Sequence, residues 1–115
     1  MRPLAYVDPV SIAVTIERLL AEVDRWGFGY LLTVGDDGRP RLLALRPQVA
    51  GDGLRFDAGG GSTCRNVSAR PGVTIVFPPA EHSDGFSLVV DGDASVDGDM
   101  IDVRPTSAVL HRQAP

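Results

Sequence analysis

The residues able to do chemistry in this chain are few, and one run of them stands out. Gly59-Gly60-Gly61-Ser62-Thr63 places three consecutive glycines and two hydroxyls directly before a short segment of helical character. Such a loop can aim several backbone N–H groups at an anion, and the positive end of the helix adds to the attraction. The same run also reads as a connector that only reverses the chain. No Gly-Lys-Ser/Thr follows, so it is not a Walker loop. Arg65 lies just beyond; a guanidinium can grip two phosphate oxygens, or stand solvated on a helix. The chain has no lysine, which excludes Schiff-base chemistry and a lysine general base. An anion site here must use arginine, hydroxyls or backbone N–H groups.

The remaining candidates are more isolated. Arg46 shares a strand face with Ala44, where a small residue beside a cation leaves room for a flat ring. It can equally be an edge charge that deters aggregation. His111-Arg112 can reach a partner's cofactor or serve at a surface. His82, with Glu81 and Asp84, has too few companions for a metal. Asp97-Gly98-Asp99 reads as a plain turn, and no Asp-Gly pair has the EF-hand layout. Cys64 is the single cysteine, so it forms no intrachain disulfide; beside Arg65 its thiol could be activated, but no local histidine supplies a base. Trp26 ends an apolar helical stripe and reads as core.

Length and composition limit what these residues can belong to. With 115 residues the chain is expected to form one domain over 1–115, with one modest core. A net charge of −4 argues against duplex nucleic acid, which demands a basic footprint. No stretch approaches the roughly 18 apolar residues that cross a membrane. The first residues lack a signal-peptide layout, so the expected location is the cytoplasm, where the Asn66-Val67-Ser68 sequon has no meaning.

The elements that must position the candidates follow from periodicity. Asp8-Pro9 reads as a cap and first helical residue. Ile12, Ile16, Leu19, Leu20 and Val23 recur at helical spacing, with Glu17, Arg18, Glu22 and Arg25 facing away. The spacing predicts a helix from about Pro9 to Trp26, stopped by Gly27. The period then changes to two. Strands are expected at Phe28 to Val34, Pro40 to Ala50 and Leu54 to Ala58, with a hairpin turn at Gly35-Asp36-Asp37-Gly38. Ser62 to Ala69 is a short helix stopped by Arg70-Pro71-Gly72. Further strands follow at Val73 to Phe77, Phe86 to Val96 and Met100 to Arg104, with a polar loop at Glu81 to Gly85 and a terminal segment Ala108 to Arg112. This is a mainly β (α+β) chain. Six antiparallel strands joined by tight turns favour a closed or partly closed barrel over a flat sheet.

The ordered set resembles the pyridoxamine 5′-phosphate oxidase-like, FMN-binding split-barrel superfamily, in the manner of small actinobacterial members. The resemblance rests on Leu32-Thr33-Val34-Gly35-Asp36-Asp37-Gly38-Arg39-Pro40 and on Arg65-Asn66-Val67 ahead of Pro71 and the strand Val73-Thr74-Ile75-Val76-Phe77. Val89-Val90-Asp91-Gly92-Asp93-Ala94 and the closing Pro105 to Arg112 add to it. It implies a six-stranded split barrel with an N-terminal helix and a second helix between strands three and four. It also implies a homodimer with FMN, or a deazaflavin, in grooves between protomers. In such proteins the phosphate is held after the third strand and on the short helix, and the ring lies along the second strand. Carried onto this chain, that assigns cofactor binding to Gly61, Ser62, Thr63, Arg65 and Asn66, with Arg46 beside the ring. One departure is plain: family members often carry Ser-x-Lys two residues before the arginine, and here the lysine position is Thr63.

Two function classes follow. One is a flavin-type oxidoreductase or carrier, because a flavin brings its own hydride chemistry and needs no acid–base constellation from the protein. The other is a cofactor-free dimeric barrel that binds or interacts, favoured by the absent lysine.

Overall fold

The computed structural model describes residues 10–114. Asp8 and Pro9, the expected helix start, lie outside the described residues. The helical expectation fails over the next five: Val10–Val14 is a strand, β1, paired antiparallel with the last strand. Val10, Ile12 and Val14 are β-branched and alternate, and a pairing edge on the last strand makes extended backbone the better state for them. The helix starts where a cap exists. Thr15 accepts the Arg18 N–H on its hydroxyl at 3.1 Å, and α1 runs Ile16–Glu22 before tightening into a 3-10 turn, Val23–Trp26. Gly27, at φ +76°, stops it as expected. Leu19 and Val23 point into the core.

β2 (Gly29–Val34) and β3 (Pro40–Leu45) form the expected hairpin. The single strand expected over Pro40 to Ala50 is broken at Arg46-Pro47. Its first part pairs with β2, while β4 (Gln48–Ala50) turns away to pair with β5 (Gly53–Asp57). Then come α2 (Gly61–Ala69), β6 (Gly72–Phe77), β7 (Ser87–Asp97) and β8 (Met100–Arg112). The polar loop before β7 holds one 3-10 turn, Glu81–Ser83. The count is therefore eight strands rather than six. The sheet order is β3-β2-β6-β7-β8-β5-β4, with β1 alongside β8. Because β3 and β4 are its two ends and only two residues separate them in the chain, one segment bridges both edges and curls the sheet into a split barrel.

β8 also corrects an expectation. A last strand from Met100 to Arg104 and a separate terminal segment from Ala108 to Arg112 are expected, but β8 runs through Pro105 from Met100 to Arg112. Gly92 faces Pro105 while Asp91 faces Ser107, so Thr106 is the extra residue of a bulge. A bulge is where a strand tolerates the missing proline N–H. Gly92 is required there: a Cβ would lie 2.7 Å from both the Arg104 carbonyl and the Val103 side chain.

Inside the barrel Leu31, Phe56, Ile75, Phe77, Val90 and Ile101 are fully buried. The outer face is also apolar along one line. Register places Ala44, Tyr30, Val76, Val89, Val109 and Ala13 side by side across six strands. Tyr30 and nearby Phe28 and Leu42 stay exposed, Leu42 at 61%.

Candidate functional site

The glycine run lies between β5 and α2, and all three glycines take positive φ, from +68° to +79°. This fixes a tight arc that only glycine adopts without strain. The arc is held from both sides. Asp57 accepts the Gly59 N–H on Oδ1 at 3.0 Å, and Ala58 N–H donates to the Asp99 carbonyl at 3.1 Å. Gly60 begins α2 with no side-chain cap, so the first-turn N–H groups of a nine-residue helix have no acceptor from a capping residue.

α2 divides the expected site residues by helical phase. Ser62 and Arg65 are exposed and Thr63 half-buried, and none makes a side-chain hydrogen bond or ion pair among the described residues. Asn66 faces the other way. It is buried and donates its amide to the Thr33 hydroxyl at 3.2 Å, which pins α2 to β2. Arg70 extends that anchorage: Nε donates to the Val34 carbonyl at 2.6 Å and Nη2 to Asp36 at 2.8 Å. Gly61, Ser62, Thr63, Arg65 and Asn66 are thus brought together on one helix, with Asn66 engaged inside.

Arg46 stands elsewhere. Its guanidinium lies beside Gly27, 3.9 Å from where a Cβ there would sit, and it lines a 430 Å³ hollow with Asp24, Pro47, Gln48 and Val49. Ala44 is exposed on the outer face next to Tyr30. Among the other candidates, Cys64 is buried under the Asp99 carbonyl, its Sγ 4.0 Å away. His111 exchanges a 3.1 Å hydrogen bond with Ser11, and Arg112 lies over the Phe86 ring and pairs with Asp84. His82 meets Trp26 edge to face, with centroids 4.8 Å apart. No group of three metal-ligating side chains occurs among the described residues.

Whether these residues suit a phosphate-bearing cofactor can be tested on the arc itself. A Cβ at Gly59 or Gly61 would meet nothing within 4 Å, so the space before the loop is open. The donors that the arc and the following turns of α2 carry are two hydroxyls, first-turn N–H groups and one arginine. Against them stands Asp99, whose Oδ1 lies 2.8 Å from where a Gly60 Cβ would be. That carboxylate lowers the potential at the arc and was missed from sequence, where it looked like a turn residue. Only the long-range packing of the β7–β8 turn on the loop reveals it. The donor set fits a phosphate, with one full charge fewer than a lysine-bearing loop would supply.

Comparison with known proteins sharpens the family. No family model matches the chain. An uncharacterized protein of Mycobacterium bovis and one of Mycobacterium tuberculosis are each 38% identical to it, over 88% of this chain and 82% of theirs. Among solved structures, an F420 reductase superposes with TM-score 0.62 at 23% identity, covering 76% of this chain and 93% of its own. A candidate pyridoxamine 5′-phosphate oxidase from Listeria innocua gives 0.66 at 17%, over 83% and 96%. The FAD-binding protein of Mycobacterium smegmatis gives 0.64 at 16%, over 90% and 100%. The mycobacterial relatives carry the identification and the strand order agrees with the solved neighbours: this chain belongs to the family of those two mycobacterial proteins and has the split-barrel fold of the neighbours above.

Proposed function

We propose that the chain is a single-domain, cytoplasmic, homodimeric flavin-type binding protein of oxidoreductase character, holding FMN or a deazaflavin in a groove between two copies. The observation that carries the cofactor half is the uncapped start of α2 behind three positive-φ glycines, with Ser62, Thr63 and Arg65 uncommitted. Solved neighbours of the same fold bear the names F420 reductase and FAD-binding protein, which supports the ligand class. When bound, the flavin would supply hydride transfer. The chain's own residues would bind and orient it: first-turn N–H groups, Ser62 and Thr63 neutral donors, and Arg65 the charged one. Asn66 would act by holding α2 against Thr33.

The dimer half rests on the outer face. Six strands carry an unbroken apolar row, and Leu42 and Ala44 lie outward beside Leu32 and Tyr30. A contiguous apolar surface of this kind on a small protein calls for a partner. No described helix is long and apolar enough to cross a membrane.

Asp99 beside the arc and Thr63 in place of lysine favour a second reading, a cofactor-free barrel of the same shape. A thermal melt across FMN, FAD and F420 separates the two. Cofactor at a hundredfold excess over Kd should stabilise the fold by about 2.7 kcal/mol, a shift of several degrees. Thr63→Lys should strengthen FMN binding, and Arg65→Ala should weaken it by about 1.5–3 kcal/mol. No shift with any cofactor, in wild type or Thr63→Lys, would leave the cofactor-free barrel.

A further inference from the structure

A second cavity, of 180 Å³, lies under α1 and is lined by none of the six candidate cofactor residues. Its walls are Val14, Leu19, Trp26, Leu88 and Leu110. Leu19, Trp26 and Leu88 belong to the core, and Val14 and Leu110 pack against it. Three charged groups of the α1 segment stand among its lining residues. Arg18 is paired with Glu22 at 3.3 Å, which cancels its charge locally. Arg25 makes no ion pair among the described residues, and so contributes the one uncompensated positive charge of these three. His82 closes the aromatic side against Trp26.

We propose that this cavity is a binding site for a small monocarboxylate with an apolar, ring-sized body. Volume sets the body, since an engineered apolar cavity of about 150 Å³ takes up benzene. Charge sets the head: one free guanidinium, beside an already neutral Arg18–Glu22 pair, matches a single carboxylate and leaves a dianion half unpaired. The ring packs on the partly exposed Val14 and Leu110 and the edge of Trp26, over the buried Leu19 and Leu88, while the carboxylate stays with exposed Arg25, so no charge is buried without its partner.

Trp26 is the chain's one tryptophan, which makes its emission a reporter of this site. The probes are cyclohexanecarboxylate and its neutral amide, cyclohexanecarboxamide, titrated into the full chain. The acid is expected to change Trp26 emission saturably, and the amide to bind about tenfold more weakly or less. Arg25→Gln, a solvent-facing change that spares the core, should weaken the acid by about tenfold and leave the amide as it was. Absence of a saturable change with millimolar acid overturns the site. Equal response to acid and amide, or an acid affinity indifferent to Arg25→Gln, overturns carboxylate recognition and with it the proposal.

Discussion

The two ends of the β7–β8 hairpin meet helices of opposite character. At the turn end, α2 presents an open backbone arc, the Ser62 and half-buried Thr63 hydroxyls and Arg65, with Asn66 as a buried polar tether. At the open end, the α1 segment lines a hollow together with Leu88 and Leu110 and adds Arg18, Glu22 and Arg25 to its wall. Both can attract an anion, by different physics. Backbone dipoles and neutral donors suit a phosphate that remains half in water. An apolar pocket with one guanidinium selects by shape and gains from excluding water. The difference shows why composition alone is a poor guide here: arginine serves at both ends, and the surface beneath it decides what it recognises.

Three tests would break or sharpen that contrast. The largest effect is expected at the α1 end, where recognition shares side chains with the core. Leu19→Ala should cost about 2–5 kcal/mol in urea unfolding, through lost burial and an enlarged cavity. A cost under 1 kcal/mol would mean that α1 is not integral to the core. At the α2 end the core-facing and solvent-facing residues should separate cleanly. Asn66→Ala leaves the buried Thr33 hydroxyl unpaired and should cost about 1–3 kcal/mol, while Ser62→Ala should stay within about 0.5 kcal/mol. If the two cost the same, the division of α2 into an anchor and a binding face is wrong.

The smallest effect concerns acid. Asp37 shapes the β2–β3 turn, accepting the Arg39 N–H at 3.0 Å and pairing with Arg41 at 2.8 Å. The Arg39 N–H first, with Arg41 adding to it, holds its carboxyl below the ordinary value of 3.8. A folded pKa below the unfolded one adds stability that is present above the unfolded pKa and lost as pH falls through the folded one. The turn should therefore loosen at pH values below about 4. Arg70 ties this hairpin to α2 through Val34 and Asp36. Amide shifts in α2 should accordingly move with Gly38 and Arg39 in acid, ahead of any change in Trp26 emission, and Asp37→Asn should remove that order.

Much of this arrangement was legible in the residues. The β2–β3 hairpin, α2, β6 and β7 carry strong local signals: alternation, glycine turns and a Pro-Gly stop. What failed depended on distant partners. Ile12 fits a helical stripe with Ile16 and Leu19 as well as it fits a strand, and the free edge of β8, nearly a hundred residues away, decides between them. Thr15, a residue type that caps helices, was the available signal; Ser11, the other capping type in the segment, is taken up by its pairing with His111. Arg46-Pro47 broke a strand because two different neighbours, β2 and β5, pair with its halves. Pro105 did not break one, because Thr106 bulges beside it. At the site, the type and order of Ser62, Thr63 and Arg65 were readable. The inward turn of Asn66 and the approach of Asp99 were not, since each depends on a contact more than thirty residues distant.

The segment that bridges the two sheet edges also bears on how the chain finds its fold. β7 and β8 are joined by only Gly98 and Asp99 and pair along their whole length, so they can zip from the turn on the microsecond scale of a hairpin. The pairings of Tyr30 with Val76 and of Leu54 with Val103 span more than forty residues, and the entropy of closing those loops delays them. Residues 40–50 can settle only after both β2 and β5 are in place. Until they do, two strand edges lie open at once, which makes barrel closure the moment at which this chain is most exposed to pairing with another copy of itself.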